Sequence, residues 1–131
     1  MGIIYNVFDF IGRIFMSVMF LQSGIGKVGS YAATSGYMAS KGVSSFLLPL
    51  VILTEIAGSV AIILGWKTRF FAFALAGFCI LTALLFHLNF ADQTQSIMFM
   101  KNISIAGGFL VIFAHGAGDI SLDKKPKKVA P

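Results

Sequence analysis

Seven polar side chains stand out by the company they keep. Asp9, Arg13, Lys27, Glu55, His87, Lys101 and Asn102 lie in or beside long apolar runs. An ionisable group at the centre of a bilayer costs roughly 2.5–3.5 kcal/mol on insertion scales, so each needs a partner or a task. Arg, Lys and Asn donate hydrogen bonds to carbonyl or anionic oxygens, carboxylates accept them, and His does either while titrating near neutral pH. Gathered in one place, such a set suits an oxygen-bearing head group or a proton relay. Metal chemistry is not indicated, because no Cys/His/carboxylate cluster has zinc spacing. The lone Cys79 excludes an internal disulfide and a CxxC redox pair.

The elements that hold these residues follow from composition. The 131 residues are 57% hydrophobic and 11% charged, with 14 Phe. A soluble domain carries roughly a quarter charged residues, and a domain this small buries only some 60–70% of its unfolded surface. A water-soluble globule and a disordered chain are both excluded. Four apolar stretches, about residues 3–23, 46–65, 70–88 and 97–115, have the length of bilayer spans. They are continuous rather than alternating, and only helices or closed barrels satisfy their backbone in lipid. The predicted fold is an all-α membrane protein, a four-transmembrane-helix bundle occupying residues 1–119, followed by a basic tail, 120–131. Ser30 to Lys41, with Ser30 as N-cap and Gly42 as stop, reads as a short interfacial helix in the first outer loop. The first span, with Asp9 and Arg13 inside it and nothing basic ahead of it, reads as retained rather than as a signal peptide.

Ten Lys/Arg against five Asp/Glu give a net charge of +5. The basic residues cluster in the tail (Lys124, Lys125, Lys127, Lys128) and between the second and third spans (Lys67, Arg69). Such clusters are topological signals rather than nucleic-acid sites, and they put both termini in the cytoplasm.

On a helical wheel Asn6, Asp9, Arg13, Ser17, Gly24 and Lys27 fall within about 40° of one direction, so this polar stripe faces the bundle interior. At 1.5 Å per residue Arg13 is roughly 15 Å from the inner end of helix one, and Glu55 roughly 14 Å from the outer end of helix two. Both then sit near the middle of a ~30 Å core, where an Arg13–Glu55 pair, with Asp9 sharing the guanidinium, offsets the cost of either charge. His87, Lys27, Lys101 and Asn102, with Gln22 and Ser23, fall in the outer third. The expectation is a polar cavity open to the outer side and floored by Arg13 and Glu55. Plainer readings stand beside it: a register-fixing ion pair, lysines that snorkel to the interface, and a histidine hydrogen-bonded at a helix end. Gly58, Ser59, Gly77, Gly107 and Gly108 read as close-packing positions, and Phe70, Phe71, Phe73 and Phe78 as lipid-facing.

Three tempting signals fail. Gly24-Ile25-Gly26-Lys27-Val28-Gly29 spells GxGxxG but follows a membrane helix rather than a strand. His87 and His115 lie at opposite ends of the bundle, some 25 Å apart by helical rise, too far to share one haem iron. Asn102-Ile103-Ser104 spells a glycosylation sequon inside a span.

Taken together, several stretches resemble the DoxX family of small four-span membrane proteins, most of all its inner-membrane members from enterobacteria and related proteobacteria. The carriers are Arg13, Phe20, Gly24 and Lys27; Tyr37 to Gly42; Glu55-Ile56-Ala57-Gly58; Leu64-Gly65; Leu85 to Phe90; Met98 to Asn102; and Gly107-Gly108. Val43-Ser44 stands where the family pattern has a proline after Gly42. The resemblance implies an inner-membrane protein linked to quinone-dependent redox complexes. No cofactor site is evident in the residues themselves, and a quinone is the candidate ligand that the resemblance suggests.

The functional expectation is a ligand-binding or accessory subunit without catalysis of its own. Its partners would be the bilayer, a membrane or redox protein, and a second copy of itself. Alternatives from other classes are a small-solute or proton pathway, and an assembly partner that binds no ligand.

Overall fold

The computed structural model describes residues 2–124. Every regular element among them is helical: α1 (Ile3–Gly29), α2 (Tyr31–Ser40), a 3-10 turn (Ser45–Leu47), α3 (Leu48–Leu64), α4 (Thr68–Phe86) and α5 (Gln93–His115). Four of them, α1, α3 with its leading 3-10 turn, α4 and α5, are long and apolar enough to cross a membrane. The all-α four-span architecture read from the sequence is what the chain forms. Of the basic tail, Lys125, Lys127 and Lys128 lie outside the described residues.

Local sequence explains where the helices stop. α3 carries Pro49 in its first turn, where a missing N–H costs nothing, and ends at Gly65 in the left-handed conformation (φ +68°). α5 opens on Asp92, whose carboxylate accepts the Thr94 N–H at 2.9 Å. α1 continues past the expected boundary at Ser23 and ends at Gly29, where the Ser30 N–H closes on the Gly26 carbonyl at 3.0 Å. Its 27 residues make it about 40 Å long, more than a ~30 Å hydrocarbon core requires.

Neighbouring helices pack in the order α1, α3, α4, α5, and α1 and α5 scarcely touch, so a seam runs between them. The core centres on one buried stripe of α4, in which the small Ala72, Ala76, Cys79 and Ala83 surround Leu75. Small side chains at this spacing let backbones approach closely in lipid. Gly58 serves the same purpose, with Leu75 side-chain atoms 3.1 Å from where its Cβ would stand. Gly77 and Gly107 face outward with nothing within 4 Å and are not packing contacts. Phe70 and Phe73 point away from the bundle, whereas Phe71 and Phe78 pack partly against the core. Seven residues apart, those two share the inward side of α4 near Leu75.

The polar stripe of α1 does face inward. The buried residues of that helix are Asn6, Arg13, Ser17, Phe20 and Gly24.

Candidate functional site

The seam between α1 and α5 is closed at mid-height and open on either side of the closure. Met16 lies against Gly108, where a Cβ would come within 2.6 Å of the Met16 methyl, and Phe20 meets Phe109 edge-on at 5.5 Å. Each side of this closure holds a separate cavity with its own charges. We refer to the end that carries Gly2 and residues 116–124 as the terminal end, and to the other as the distal end.

The distal cavity has a volume of about 240 Å³. Its polar lining is Ser23 and Lys27 from α1, Glu55 from α3, Thr82 from α4, and Lys101 and Asn102 from α5. Met19, Phe20, Phe78, Met98 and Ile105 complete the wall. Lys27 Nζ donates to Glu55 Oε1 at 2.7 Å, to Oε2 at 3.0 Å and to Ser23 Oγ at 2.7 Å, so all three ammonium hydrogens have acceptors. Glu55 is nearly sealed, with 5% of its side chain exposed against 25% for Lys27. Asn102 Nδ2 donates to the Met98 carbonyl of its own helix at 3.0 Å. Lys101, at the edge of the cavity, has no hydrogen-bond or ion-pair partner among the described residues.

The expected Arg13–Glu55 pair does not form. Arg13 sits eleven residues before Gly24, and Gly24 packs directly on Glu55 and Ile56. Arg13 is therefore about 16 Å along α1 from the level of Glu55. The two side chains would be level only if the start of α1 marked the core boundary and side chains stood square to their helix; neither holds. Side chains lean toward a helix N-terminus. On α1 that lean carries Arg13 away from Glu55 and brings Lys27 back toward it. Instead of snorkelling outward, Lys27 turns inward to the carboxylate.

The Arg13 guanidinium ties off the end of α3 instead. Nη1 donates to the Ile62 and Ile63 carbonyls at 2.9 and 3.1 Å, and Nη2 donates to the Ile120 carbonyl. The remaining carbonyls of that helix end are also accounted for: Ala61 accepts from Trp66 N–H, Leu64 from Leu122 N–H, and Gly65 from Asp123 N–H. Asp123 then accepts the first N–H groups of α4, from Lys67 at 2.8 Å and Thr68 at 2.9 Å. Desolvation works to raise the Asp123 carboxyl, but these contacts with Thr68 and Lys67, and the nearby Arg13 charge, outweigh it and hold the group below the usual carboxylate range. Residues 120–123 thus form a strap against the α3–α4 turn.

Asp9 does not bond Arg13. Its Oδ2 is buried without a hydrogen-bond partner among the described residues, in a smaller cavity of about 150 Å³ shared with Arg13, Met16, Gly108 and His115. Asn6, one turn earlier, donates to Asp119 at 3.2 Å. His87 is also apart from the distal cavity. It is buried, and its Nδ1 lies 2.6 Å from Gln95 Oε1 across the α4–α5 loop. An amide oxygen only accepts, so His87 Nδ1 is the donor in this contact. Gln22 is exposed. Of the seven residues singled out in the sequence, the fold brings together Lys27, Glu55, Lys101 and Asn102. It separates Arg13, Asp9 and His87 from them. Gln95 and Thr82 carry no signal of their own, because a polar residue at a helix start or an isolated threonine in a span is unremarkable in sequence.

The DoxX family model matches residues 8–88. The chain belongs to the DoxX family. The matched stretch carries Arg13, Lys27, Glu55 and His87, and it stops before α5. Inner membrane protein YqjF of Escherichia coli (strain K12) is 49% identical over 114 residues, covering 87% of this chain and 88% of that protein. Inner membrane protein YphA of the same organism is 34% identical over 123 residues, covering 88% and 87%. ER-derived vesicles protein ERV29 of Saccharomyces cerevisiae is 37% identical over 84 residues, which is 59% of this chain and 26% of that longer protein. No solved structure matches. With these relatives and four apolar spanning helices, this DoxX protein is a multi-pass inner-membrane protein surrounded by lipid.

Proposed function

We propose that this DoxX protein is a ligand-binding subunit of a membrane redox system, and that the distal cavity receives the oxygen-bearing head group of a small ligand such as a quinone. One observation supports this most directly. Lys27 and Glu55 satisfy each other, while Lys101, exposed at the rim of the same cavity, has no partner among the described residues and is left to meet a ligand there. An ammonium beside an apolar wall suits a ligand with a carbonyl or anionic oxygen on a flat apolar body. At about 240 Å³ the cavity is smaller than the roughly 300–1,000 Å³ of drug-sized sites, which suits a single ring.

The terminal end, with Lys67, Arg69 and Lys124, faces the cytoplasm in this reading, by the positive-inside rule. The cavity then opens toward the periplasmic half of the membrane. In this reading the protein acts with a redox partner, to which the ligand held in the distal cavity is presented.

Purification in native lipid, followed by mass spectrometry of the extracted small molecules, tests the proposal. The expected result is a co-purifying ligand whose occupancy falls about tenfold in Lys101→Ala, the loss of one charge-assisted hydrogen bond. An empty protein whose stability is insensitive to added quinone overturns it. A proton or solute pathway, the competing reading, predicts liposome flux that Glu55→Gln abolishes, and the Met16–Gly108 closure of the seam weighs against such a path.

A further inference from the structure

Behind the distal cavity lies a second chamber of about 190 Å³, between α2, the 3-10 turn, α3 and α4. Its walls include Met38, Leu47, Val51, Leu81, Leu85 and Phe86. Thr54 is also in the wall, but its hydroxyl is returned to the Leu50 carbonyl of its own helix at 2.8 Å, so it has little to offer a polar guest. The chamber is therefore apolar where the distal cavity is charged.

The two spaces share a wall. Phe78 and Thr82, one turn apart on α4, line both of them, and no other residue does. Phe78 is only partly buried and packs against the core from the side. Four of the second chamber's leucines, Leu47, Leu50, Leu81 and Leu85, are about half exposed, so the chamber also opens on the lipid-facing side, and an apolar chain laid in it is bordered by protein on one side and by lipid on the other. Its roof is a short separate helix: α2 is anchored by buried Met38 and by Tyr37, whose ring stacks on Phe86 at 5.7 Å. α2 is joined to α3 through Gly42, in a positive-φ turn.

We infer that the two spaces are halves of one site for an amphipathic ligand, with its oxygen-bearing ring at Lys27, Glu55 and Lys101 and its apolar tail passing Phe78 into the chamber beneath α2. The inference rests on the reading of the distal cavity as a ligand site, and adds the direction and chemistry of the tail. Either space alone falls short of the roughly 300 Å³ at which drug-sized sites begin, whereas joined they exceed it. The alternative route for a tail is outward through the α1–α5 seam into lipid, so the experiment must separate the two routes.

The full-length protein in nanodiscs is titrated with 2,3-dimethoxy-5-methyl-1,4-benzoquinone and with its 6-decyl homologue, and protein-free nanodiscs provide the partition background. We expect the decyl compound to bind at least about tenfold tighter than the bare ring, as burial of a few methylenes predicts. Val51→Trp, which fills the chamber, should bring that ratio to within about twofold of unity and leave the affinity for the bare ring within about threefold. Phe78→Ala, which removes the partition, should strengthen decyl binding. A decyl probe with a diazirine at the tail terminus needs no variant: in the wild-type protein its adducts should fall on α2, Leu47–Thr54 or Leu81–Phe86. Adducts on Met19 and Met98–Ile105 instead, or a tail preference unchanged by Val51→Trp, overturn the two-chamber site while leaving the head-group cavity standing. If neither quinone binds the folded wild-type protein, the cavity reading itself falls, and the tail chamber falls with it.

Discussion

At the terminal end of the bundle Arg13 directs its guanidinium at three backbone carbonyls. At the distal end Lys27 directs its ammonium at two side chains, Glu55 and Ser23. Both are cations on the same stripe of the same helix, and both reach toward its N-terminus. They differ in what the fold puts within reach. Beside Arg13 a helix ends, so orphan carbonyls converge there and a strap of chain crosses over them. Beside Lys27 the neighbouring helices run on uninterrupted, their backbone groups already paired, and only side chains are available. The first arrangement commits both terminal nitrogens of the guanidinium to backbone and leaves beside it only the smaller cavity of about 150 Å³ with Asp9. The second leaves a cavity of about 240 Å³, a nearly sealed carboxylate and an additional lysine.

This contrast predicts that the terminal end governs stability and the distal end governs binding. The most severe test is Arg13→Leu, which leaves the Ile63 and Ile120 carbonyls without their donor and Ile62 with only the Gly65 N–H at 3.2 Å. It should lower unfolding stability in detergent by about 4 kcal/mol, since each abandoned buried acceptor costs about 1–3 kcal/mol. Wild-type stability in this variant would mean that the strap does not depend on the guanidinium. Gly65→Ala follows at about 3 kcal/mol. Gly65 has φ +68°, and a Cβ there would come within 2.7 Å of Arg13 Nη1 while also striking Ser121. Thermal melts of the purified variant measure it.

At the distal end, Lys27→Met should cost about 2–3 kcal/mol by stranding the Glu55 carboxylate, and adding Glu55→Leu should recover at least half of that, because a buried pair is worth little against apolar replacements. A double variant less stable than Lys27→Met alone would contradict this account of the pair. Lys101→Ala should change unfolding stability by no more than about 0.5 kcal/mol, as for a surface substitution without partners. Equal damage to folding and to binding would erase the distinction between the two ends.

The smallest effect is pH-dependent. The Asp123 carboxyl is held low in the folded protein. Its contribution is present above the unfolded value near 3.9 and is lost as pH falls through the lower folded value. Stability of the wild type should therefore decline below about pH 4 more steeply than that of Asp123→Asn, by well under 1 kcal/mol because the group is largely exposed. Parallel acid melts of the two proteins compare the slopes.

Several features were legible in the chain because they depend only on local pattern. Four runs of apolar residues are too long and too hydrophobic to be anything but spans, and the 3.6-residue period placed Asn6, Asp9, Arg13, Ser17, Gly24 and Lys27 on one inward stripe. The short helix after Ser30 was marked by Gly42, whose positive φ turns the chain beyond it, whereas the Ser30 hydroxyl does not cap it and donates to the Gly26 carbonyl at 2.9 Å. Close packing at Gly58 and Gly108 was foreseen, but at Gly77 and Gly107 it was not met, because a small residue permits close approach without saying which side of the helix has a neighbour.

What tertiary structure alone decided was who meets whom along the helix axes. Periodicity fixes the angle of a side chain around its helix and says nothing about the vertical offset between helices packed side by side. Here that offset is set where Gly24 seats on Glu55, about 16 Å along α1 from Arg13. An offset of that size exchanged Arg13 for Lys27 as the partner of the carboxylate. It also turned a supposed cavity floor into the tie that holds the α3–α4 turn to residues 120–123. An angular pattern repeats every turn and can be read from one helix; an axial register belongs to a pair of helices and exists only once they have packed.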